Sequence, residues 1–218
     1  MKPERFHRLR EVLRRRQPDL TVLMDRVHKP HNVSAILRNC DATGVLDVHV
    51  VPPDGGLDLH HHTSAGTKKW VGVQRHPHIG EASRHLEGSG FHLVAAHPGP
   101  NAVDFRAFDF TVPTAIVMGA ELHGVSDEAL EAADTHVVIP MLGMVHSLNV
   151  SVATALLLYE AMRQREVAGM YEESRLGPDA FRTRLFEWAY PGIARRLREA
   201  GRTYPALDED GTILRDRG

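Results

Sequence analysis

The stretch 139–165, IPMLGMVHSLNVSVATALLLYEAMRQR, changes its pattern twice along its length. Its apolar start is typical of a buried strand, and its end has the periodicity of a helix, which we expect over about 148–166. Between them lies a turn that contains Gly143 and the polar residues Ser147 and Asn149. Polar side chains where a helix begins are typical of a helix cap, and also of a site where the first turn binds an anion.

The rest of the chain alternates short apolar runs with helical patterns. Strands are expected at 20–27, 45–51, 70–75, 91–97, 114–119 and 136–141, and helices at 5–16, 33–43, 79–87 and 127–133. Strands that alternate with helices indicate βα units and a largely parallel, buried sheet. After Tyr171 the chain is rich in arginine and turn residues, and there we expect an appendage with one helix around 178–188.

Composition indicates an ordinary globular protein. The chain has 218 residues, of which 42% are hydrophobic and 25% are charged. It has no apolar run of the length that a membrane span needs, and residues 1–20 lack the apolar stretch of a signal peptide. Cys40 is the single cysteine, so no internal disulfide can form, and we expect a cytoplasmic location.

Charge is distributed unevenly behind the formal net charge of −2. Residues 1–16 carry seven Lys or Arg and two acids, and residues 163–202 carry nine against six. Residues 17–162 carry eight against sixteen. Basic ends around an acidic middle indicate a polyanionic partner, although solvated helix faces would give the same counts.

Three segments each follow an expected strand, and ligands of α/β sheets bind at the carboxyl ends of strands. They are HKPHNVSAILRNCDATGV (28–45), IVMGAELHGVS (116–126) and the turn within the opening stretch. Each also has a simpler interpretation. Asn32 could cap a helix that begins at Val33, Arg38 could pair with an acid, and Ser147 or Asn149 could cap the last helix. No Walker loop or GxGxxG pattern is present, which disfavours nucleotide and dinucleotide binding at these segments.

Two further features suggest metal binding or nucleophilic chemistry, and both have simpler explanations. The run His60–His62 places three imidazoles next to one another, a spacing that rarely directs them at one ion, so no metal is expected. Cys40 falls within an expected helix and lacks the electropositive setting of a reactive thiol, so we interpret it as structural.

Taken together, the three segments resemble the signature motifs of the SPOUT (class IV) methyltransferases, in the SpoU/TrmH branch. The resemblance is carried most clearly by RRQPDLTVLMDRVHKPHNVSAILRNCDATGV (15–45) and IPMLGMVHSLNVSVA (139–153), and it extends from Arg5 to about Tyr171. It implies an α/β fold with a parallel sheet flanked by helices and a deep C-terminal trefoil knot at about 115–166. It also implies a homodimer that binds S-adenosylmethionine in the knot.

The resemblance also implies a division of the chain and an activity. Residues 1–19 would form a basic, RNA-binding N-terminal helix, 20–166 the SPOUT domain and 167–218 a C-terminal extension. The implied reaction is methylation of the ribose 2′-hydroxyl of guanosine 18 in the D-loop of tRNA. Alternatives are methylation of ribosomal RNA, whose enzymes often carry a separate N-terminal domain, and a non-catalytic RNA-binding protein of the same fold. A nicotinamide oxidoreductase would lack its glycine fingerprint here.

By the same resemblance, Arg38 lies beside the reacting hydroxyl. It would either accept the proton or stabilise the developing alkoxide and bind a phosphate, and the first role is chemically awkward because a guanidinium has a pKa above about 12. Asn32 would orient Arg38 or the ribose. Glu121 would hold the Asn32 side or the loop through hydrogen bonds, and Ser147 and Asn149 would order the substrate. The expected cofactor contacts are Ala96, Gly119, Ile139, Met141 and Leu148. The expected RNA contacts are Arg8, Arg14, Arg15, Arg16, His31, Lys68, Lys69, Arg163 and Arg165.

Overall fold

The computed structural model describes residues 1–53 and 69–214 of the chain. These residues form two compact units. The larger unit is Pro18–Gly169, and the smaller unit combines Met1–Gln17 with Met170–Gly218. None of the described helices is both long and apolar enough to cross a membrane.

The larger unit contains the sheet that the alternating pattern predicts. Its strands are β1 (Leu20–Asp25), β2 (Asp47–Val51), β3 (Gly72–Arg75), β4 (His92–Ala96), β5 (Val103–Asp104), β6 (Thr114–Met118) and β7 (Thr135–Val138). They form one sheet in the order β3-β2-β1-β6-β4-β7-β5, and every ladder is parallel. The prediction of a parallel sheet is therefore confirmed. The sequence did not predict β5, because a strand of two residues has no measurable periodicity.

Helices cover both faces of this sheet. The helices of the described chain are α1 (Pro3–Arg14), α2 (Pro30–Ala42), α3 (Ile79–Gly88), α4 (Asp127–Ala132), α5 (Val150–Val167), α6 (Pro178–Ala189) and α7 (Pro191–Glu199). Those of the larger unit, α2 to α5, cover the sheet. On one face, α2 and α5 bury side chains such as Leu37 and Leu158 in a common core with Ile116. On the other face, α3 and α4 pack against the sheet through residues such as Leu86 and Ala129. Cys40 is fully buried on α2, in agreement with a structural role.

The start of α2 differs from the prediction. Asn32 is not an N-cap, because the helix begins two residues earlier at Pro30, after an extended Lys29. Proline suits the first helical position, since its fixed φ is already helical and its missing N–H has no partner there in any case. Asn32 therefore lies inside the first turn and is buried. The end of the helix agrees with the prediction, because Gly44 follows it with a φ of 85°.

The smaller unit contains α1, α6 and α7. The single helix expected around 178–188 is present as α6, but a second helix, α7, follows where an irregular chain was expected. Pro191 ends one helix and occupies the first position of the next. Arg16 is fully buried, and its guanidinium lies 5.3 Å from the centroid of the Trp188 ring. The prediction that Arg16 contacts RNA is therefore wrong, because its guanidinium is buried against the Trp188 ring and is not accessible to a ligand.

Arg165 is also a structural residue, and the prediction that it binds RNA is wrong. It is 0% exposed near the end of α5. Its Nη1 donates to Asp19 Oδ1 at 2.6 Å, and its Nε donates to the carbonyl oxygen of Phe110 at 2.9 Å. Its Nη2 donates to the carbonyl oxygens of Asp19 at 3.1 Å and Val112 at 3.0 Å. The guanidinium thus joins α5 to the segments that precede β1 and β6.

Substitution of Arg165 with alanine is expected to lower the free energy of unfolding by about 3–5 kcal/mol, because a carboxylate and several carbonyls lose a buried donor. The control is Arg163→Ala on the same helix, where an exposed guanidinium pairs with Glu160 at 2.7 Å. That loss should cost about 1 kcal/mol or less. Urea denaturation measures both values, and equal losses for the two variants would contradict this account.

Candidate functional site

The carboxyl ends of β1, β4, β6 and β7 meet at one edge of the sheet, and the loops that follow them enclose a cavity of about 800 Å³. Its walls come mainly from residues 118–125 and 137–150. A volume of this size lies in the range of small-molecule sites. All five residues that the sequence proposed for cofactor binding line it, namely Ala96, Gly119, Ile139, Met141 and Leu148.

Gly119 lets two stretches of backbone approach each other beneath this cavity. A Cβ atom at residue 119 would lie 2.0 Å from the carbonyl carbon of Gly124 and 2.0 Å from the nitrogen of Val125. Only glycine can occupy this position, because both neighbours are main-chain atoms. The sequence predicted a small residue that lets backbone approach a ligand. The structure shows that the close approach to Gly119 is made by the protein's own loop.

A chain of side-chain hydrogen bonds connects the three segments at the rim of the cavity. Asn149 Nδ2 donates to Asn32 Oδ1 at 3.1 Å, and Asn32 Nδ2 donates to Glu121 Oε1 at 2.7 Å. Asn32 is 1% exposed, so its amide depends on these partners. The structure therefore brings together Asn32, Glu121 and Asn149, which the sequence could place only in separate loops.

Glu121 is the point where most donors converge. Its side chain is 9% exposed, and its Oε2 lies 2.7 Å from His28 Nδ1. The backbone N–H groups of His28 and Lys29 donate to the same carboxylate at 3.3 and 3.1 Å. Burial on its own would raise the pKa of Glu121, but the hydrogen bonds from Asn32 and from backbone N–H groups outweigh it and hold the pKa below its ordinary value. The group is therefore a carboxylate at neutral pH.

Asn149 performs two tasks where the last helix begins. Its Oδ1 accepts from the backbone N–H of Ser151 at 2.8 Å, so it is the N-cap of α5. Its Nδ2 is left to donate to Asn32. The capping interpretation of Asn149 is thus confirmed, and the same side chain belongs to the polar chain as well. Ser147 is exposed on the cavity wall and makes no hydrogen bond within the described ranges.

Arg38 does not line the cavity of its own chain. It lies six residues after Asn32 on α2, and six helical residues rotate through about 600°, so the two side chains point about 120° apart. Its guanidinium is exposed, and it forms no hydrogen bond or ion pair with any residue that the structure describes. The simpler interpretation, a structural pair with a nearby acid, is therefore wrong.

The other residues proposed for RNA contact fall into three groups. Those on the surface are Arg8, Arg15, His31, Lys69 and Arg163. Arg14 is half-buried and pairs with Glu11 at 3.6 Å. Lys68 lies outside the described residues, and so does the run His60–His62, which suggested metal binding rather than RNA binding. Within the described ranges, no group of three His, Cys, Asp or Glu side chains is arranged to hold a metal ion.

His28 is the site residue that the sequence interpretation missed. It was treated as part of a loop, and neither its spacing nor its neighbours distinguished it from His31 three residues later. The available signal was its position, because it follows β1 at the same edge of the sheet where Glu121 follows β6.

Substitution of Gly119 with alanine is expected to lower the free energy of unfolding by about 3 kcal/mol or more, because the new methyl group overlaps main-chain atoms that cannot move independently. Gly143→Ala is the matched control on the same cavity, since a Cβ there has no atom within 4 Å. That variant should change stability by less than about 0.5 kcal/mol. Chemical denaturation decides the matter, and a Gly119 variant with the stability of the parent would refute the packing argument.

Comparison with known proteins places these features in a family. The model of the SpoU rRNA Methylase family matches residues 19–159, and a model of the C-terminal region of SpoU rRNA methylases matches residues 163–216. The chain is 51% identical over 218 residues, 99% of its length and 95% of the relative's, to a tRNA (guanosine(18)-2′-O)-methyltransferase of Escherichia coli.

Solved structures agree. A TrmH/SpoU tRNA modifying enzyme from Aquifex aeolicus superposes with a TM-score of 0.81 at 43% identity, over 87% of this chain and 97% of that one. The SpoU methyltransferase AviRb from Streptomyces viridochromogenes, in complex with the cofactor AdoMet, has a TM-score of 0.62 at 32% identity, over 69% of this chain and 62% of that one. The three converging segments, the parallel sheet and this similarity have one explanation, which is that the chain belongs to the SpoU rRNA Methylase family.

Proposed function

We propose that this protein transfers a methyl group from S-adenosylmethionine to the ribose 2′-hydroxyl of guanosine 18 in tRNA. The observation that carries the proposal is the convergence of the three segments on one cavity, in a chain 51% identical from end to end to a methyltransferase named for that nucleotide. A non-catalytic RNA-binding protein would have no need for a buried polar chain beside such a cavity.

The residues of the cavity fit S-adenosylmethionine. Its walls include the apolar side chains of Ile139, Met141 and Leu148, which suit an adenine ring and a ribose. The close packing at Gly119 places backbone beneath the cavity. When bound, S-adenosylmethionine supplies a methyl group that is already strongly electrophilic because it is attached to a sulfonium sulfur. No metal is needed to activate such a donor, and the protein's task is to align and deprotonate the hydroxyl.

We assign the remaining site residues to substrate handling. Asn32, Glu121 and Asn149 form a rigid polar rim, because each of their bonds restrains the next one. Ser147, exposed on the wall, is free to contact the ribose or its phosphate. Arg38 would bind a substrate phosphate and stabilise negative charge on the hydroxyl oxygen, for which its exposed guanidinium without a partner in the described chain is suited.

The deep trefoil knot at about 115–166 belongs to the same proposal. In the sheet, β6 and β4 lie between β1 and β7. The helix after β7, α5, nevertheless packs beside α2, which is the helix after β1. The segment 139–149 must therefore return across the edge of the sheet where the loop 119–125 lies. Such a return is what a knot requires, although true knots are close to absent among protein folds.

A homodimer is proposed from one face of α5. Leu157, Leu158 and Ala161 are buried in the core, while Val152, Leu156 and Tyr159 are exposed. An amphipathic surface helix has one apolar stripe, and the second stripe here lacks a partner within the described chain. Burial of that stripe against a second copy would remove it from water. The tRNA substrate and the single cysteine are consistent with a reaction in the cytoplasm.

Methylation of a tRNA transcript by the purified protein tests the function, with the methylated position read by mass spectrometry of nuclease fragments. We expect 2′-O-methylguanosine at position 18. The same reading of tRNA from a strain that lacks the gene should show unmodified guanosine 18. Methylation of a ribosomal RNA fragment with tRNA left unmodified would favour the ribosomal alternative, and methylation of neither RNA would support a non-catalytic protein.

Arg38→Ala is expected to reduce the single-turnover rate about a hundredfold to a thousandfold, because a group that stabilises developing negative charge is lost. Calorimetry should show unchanged cofactor affinity, since Arg38 lies outside the cavity. Arg38→Lys should also be slow, because an ammonium cannot reproduce the planar fork. Arg84→Ala, an exposed arginine on α3, is the control that should keep the rate of the parent. A normal rate for Arg38→Ala would remove the residue from the mechanism.

The smaller unit is proposed to bind RNA through its exposed arginines. Arg8 and Arg15 are exposed, and their side chains form no ion pair within the described ranges. The double variant Arg8→Ala/Arg15→Ala should weaken tRNA binding and reduce the log–log salt slope by up to about one unit per lost phosphate contact. Arg106→Ala is the control, because that guanidinium is already paired with Asp104 at 2.6 Å. Unchanged slopes for the double variant would place the RNA elsewhere.

A further inference from the structure

The smaller unit has a cavity of its own, of about 880 Å³, and every residue that lines it belongs to this unit. Its apolar lining includes the buried rings of Phe6 on α1 and Phe186 on α6. Another wall is the segment 201–209, which follows α7. A volume of this size lies in the range of small-molecule sites, and the proposed methyl transfer does not use it.

One aromatic ring of this cavity is held in a fixed position. Tyr204 stacks on Phe186, with 4.8 Å between the ring centroids and an angle of 16° between the planes. Its hydroxyl donates to Glu187 Oε1 at 3.1 Å and accepts from Arg198 Nη2 at 3.2 Å. The same Arg198 nitrogen donates to Glu187 Oε1 at 2.5 Å. Because Tyr204 is only half-buried and lines the cavity, it offers an aromatic surface of defined orientation.

The lining contains as many carboxylates as arginines, but most of the carboxylates already have partners. Asp179 pairs with Arg182, and Glu187 pairs with Arg198. Asp208 accepts from two backbone N–H groups of the turn that follows it, at 3.0 and 2.7 Å. The negative charge of these three side chains is therefore already compensated within the unit.

Two arginines of the lining have no such partner. Arg10 on α1 and Arg202 after α7 are exposed, and their guanidinium groups form no hydrogen bond or ion pair with any residue that the structure describes. The remaining carboxylate of the lining is that of the exposed Glu209, so the uncompensated charge of the lining is positive. Two free guanidinium groups beside an apolar, aromatic cavity suit a ligand that joins phosphates to a flat ring.

We propose that this cavity binds one unpaired nucleotide of the tRNA, an inference that rests on the proposed function. The base lies against the Tyr204 ring, and Arg10 and Arg202 bind the neighbouring phosphates. The nucleotide is not guanosine 18, because guanosine 18 must reach the cavity at the edge of the sheet. Bases of single-stranded loops stack on aromatic side chains in this way, and such stacking accepts any base. The cavity thus adds affinity for a folded tRNA and takes no part in methyl transfer.

The first test removes the two free charges of the lining. Arg10→Gln/Arg202→Gln is compared with Arg5→Gln/Arg195→Gln, which removes the same charge from exposed arginines of α1 and α7 outside the cavity. Filter binding of a tRNA transcript, without cofactor, is measured from about 50 to 200 mM salt. Thermal unfolding verifies that both variants fold.

For the cavity variant, we expect binding about tenfold to a hundredfold weaker than that of the parent, with a log–log salt slope reduced by about one to two units. The control variant should lose only the contribution of general charge, no more than about threefold in affinity. Equal losses for the two variants would show that charge acts without the cavity, and would overturn the proposal.

The second test fills the cavity and leaves every charge in place. Thr183 is exposed on α6 and lines the cavity, so a tryptophan there would occupy the space of the base. Ala180→Trp is the control, because Ala180 is exposed on the same helix but does not line the cavity. We expect Thr183→Trp to bind the transcript at least about tenfold more weakly, since stacking of a base is lost, and Ala180→Trp to bind within about twofold of the parent. A Thr183→Trp variant that binds as tightly as Ala180→Trp, or more tightly, would overturn the proposal.

The behaviour of the parent separates this inference from the proposed function. If the parent methylates guanosine 18 and the cavity variants bind the transcript as their controls do, the cavity assignment fails alone. If the parent binds no tRNA, the proposed function fails and the cavity assignment fails with it.

Discussion

One buried amide, that of Asn32, holds the rim of the cavity together. It accepts from Asn149, which lies 117 residues away in the chain, and donates to Glu121, which lies 89 residues away. An amide that is 1% exposed cannot turn to water if either partner moves, so a loss on one side leaves a buried polar group unsatisfied. The position of Asn32 depends in turn on Pro30, because a helix that began at residue 33 would leave this side chain outside the first turn.

The second constraint is the close packing of main chain at Gly119. The loop after β6 returns so near to its own strand that a single methyl group would overlap two backbone atoms. This packing limits how far Glu121, two residues later, can move from Asn32. The loop after β6 is therefore restrained both by the hydrogen bonds of Glu121 and by the close packing at Gly119. A cavity wall restrained in this way is preformed, so less free energy is lost to ordering the wall when a ligand binds.

Sequence periodicity predicted the sheet and most helices because buried strands and helices with one apolar stripe have distinct patterns. It did not predict which arginines are buried, since a count of charges says nothing about pairing. The sequence did contain a signal for each of the two buried arginines, Arg165 and Arg16. Arg165 follows Leu158 and Ala161 at the spacing of the buried stripe of α5, and Arg16 continues the spacing of Leu9 and Leu13 on α1. An arginine on an apolar stripe is better interpreted as a buried structural group than as an RNA contact. The contact of His28 with Glu121 depends on the pairing of β1 with β6, which periodicity does not reveal.

Glu121 shows why this rim needs a carboxylate rather than an amide. Its two oxygens accept from an amide, an imidazole and backbone N–H groups, and an amide side chain would present some of these donors with another donor. Its pKa is lower in the folded protein than its ordinary value, so the stability it contributes is present above the pKa of the unfolded chain. That stability is lost as the pH falls through the lower, folded value. Protonation there would also release His28 and Asn32 together, because both depend on the same two oxygens. The group that orients the imidazole is thus the group that closes the loop, so the His28 ring cannot be moved without altering the wall of the cavity.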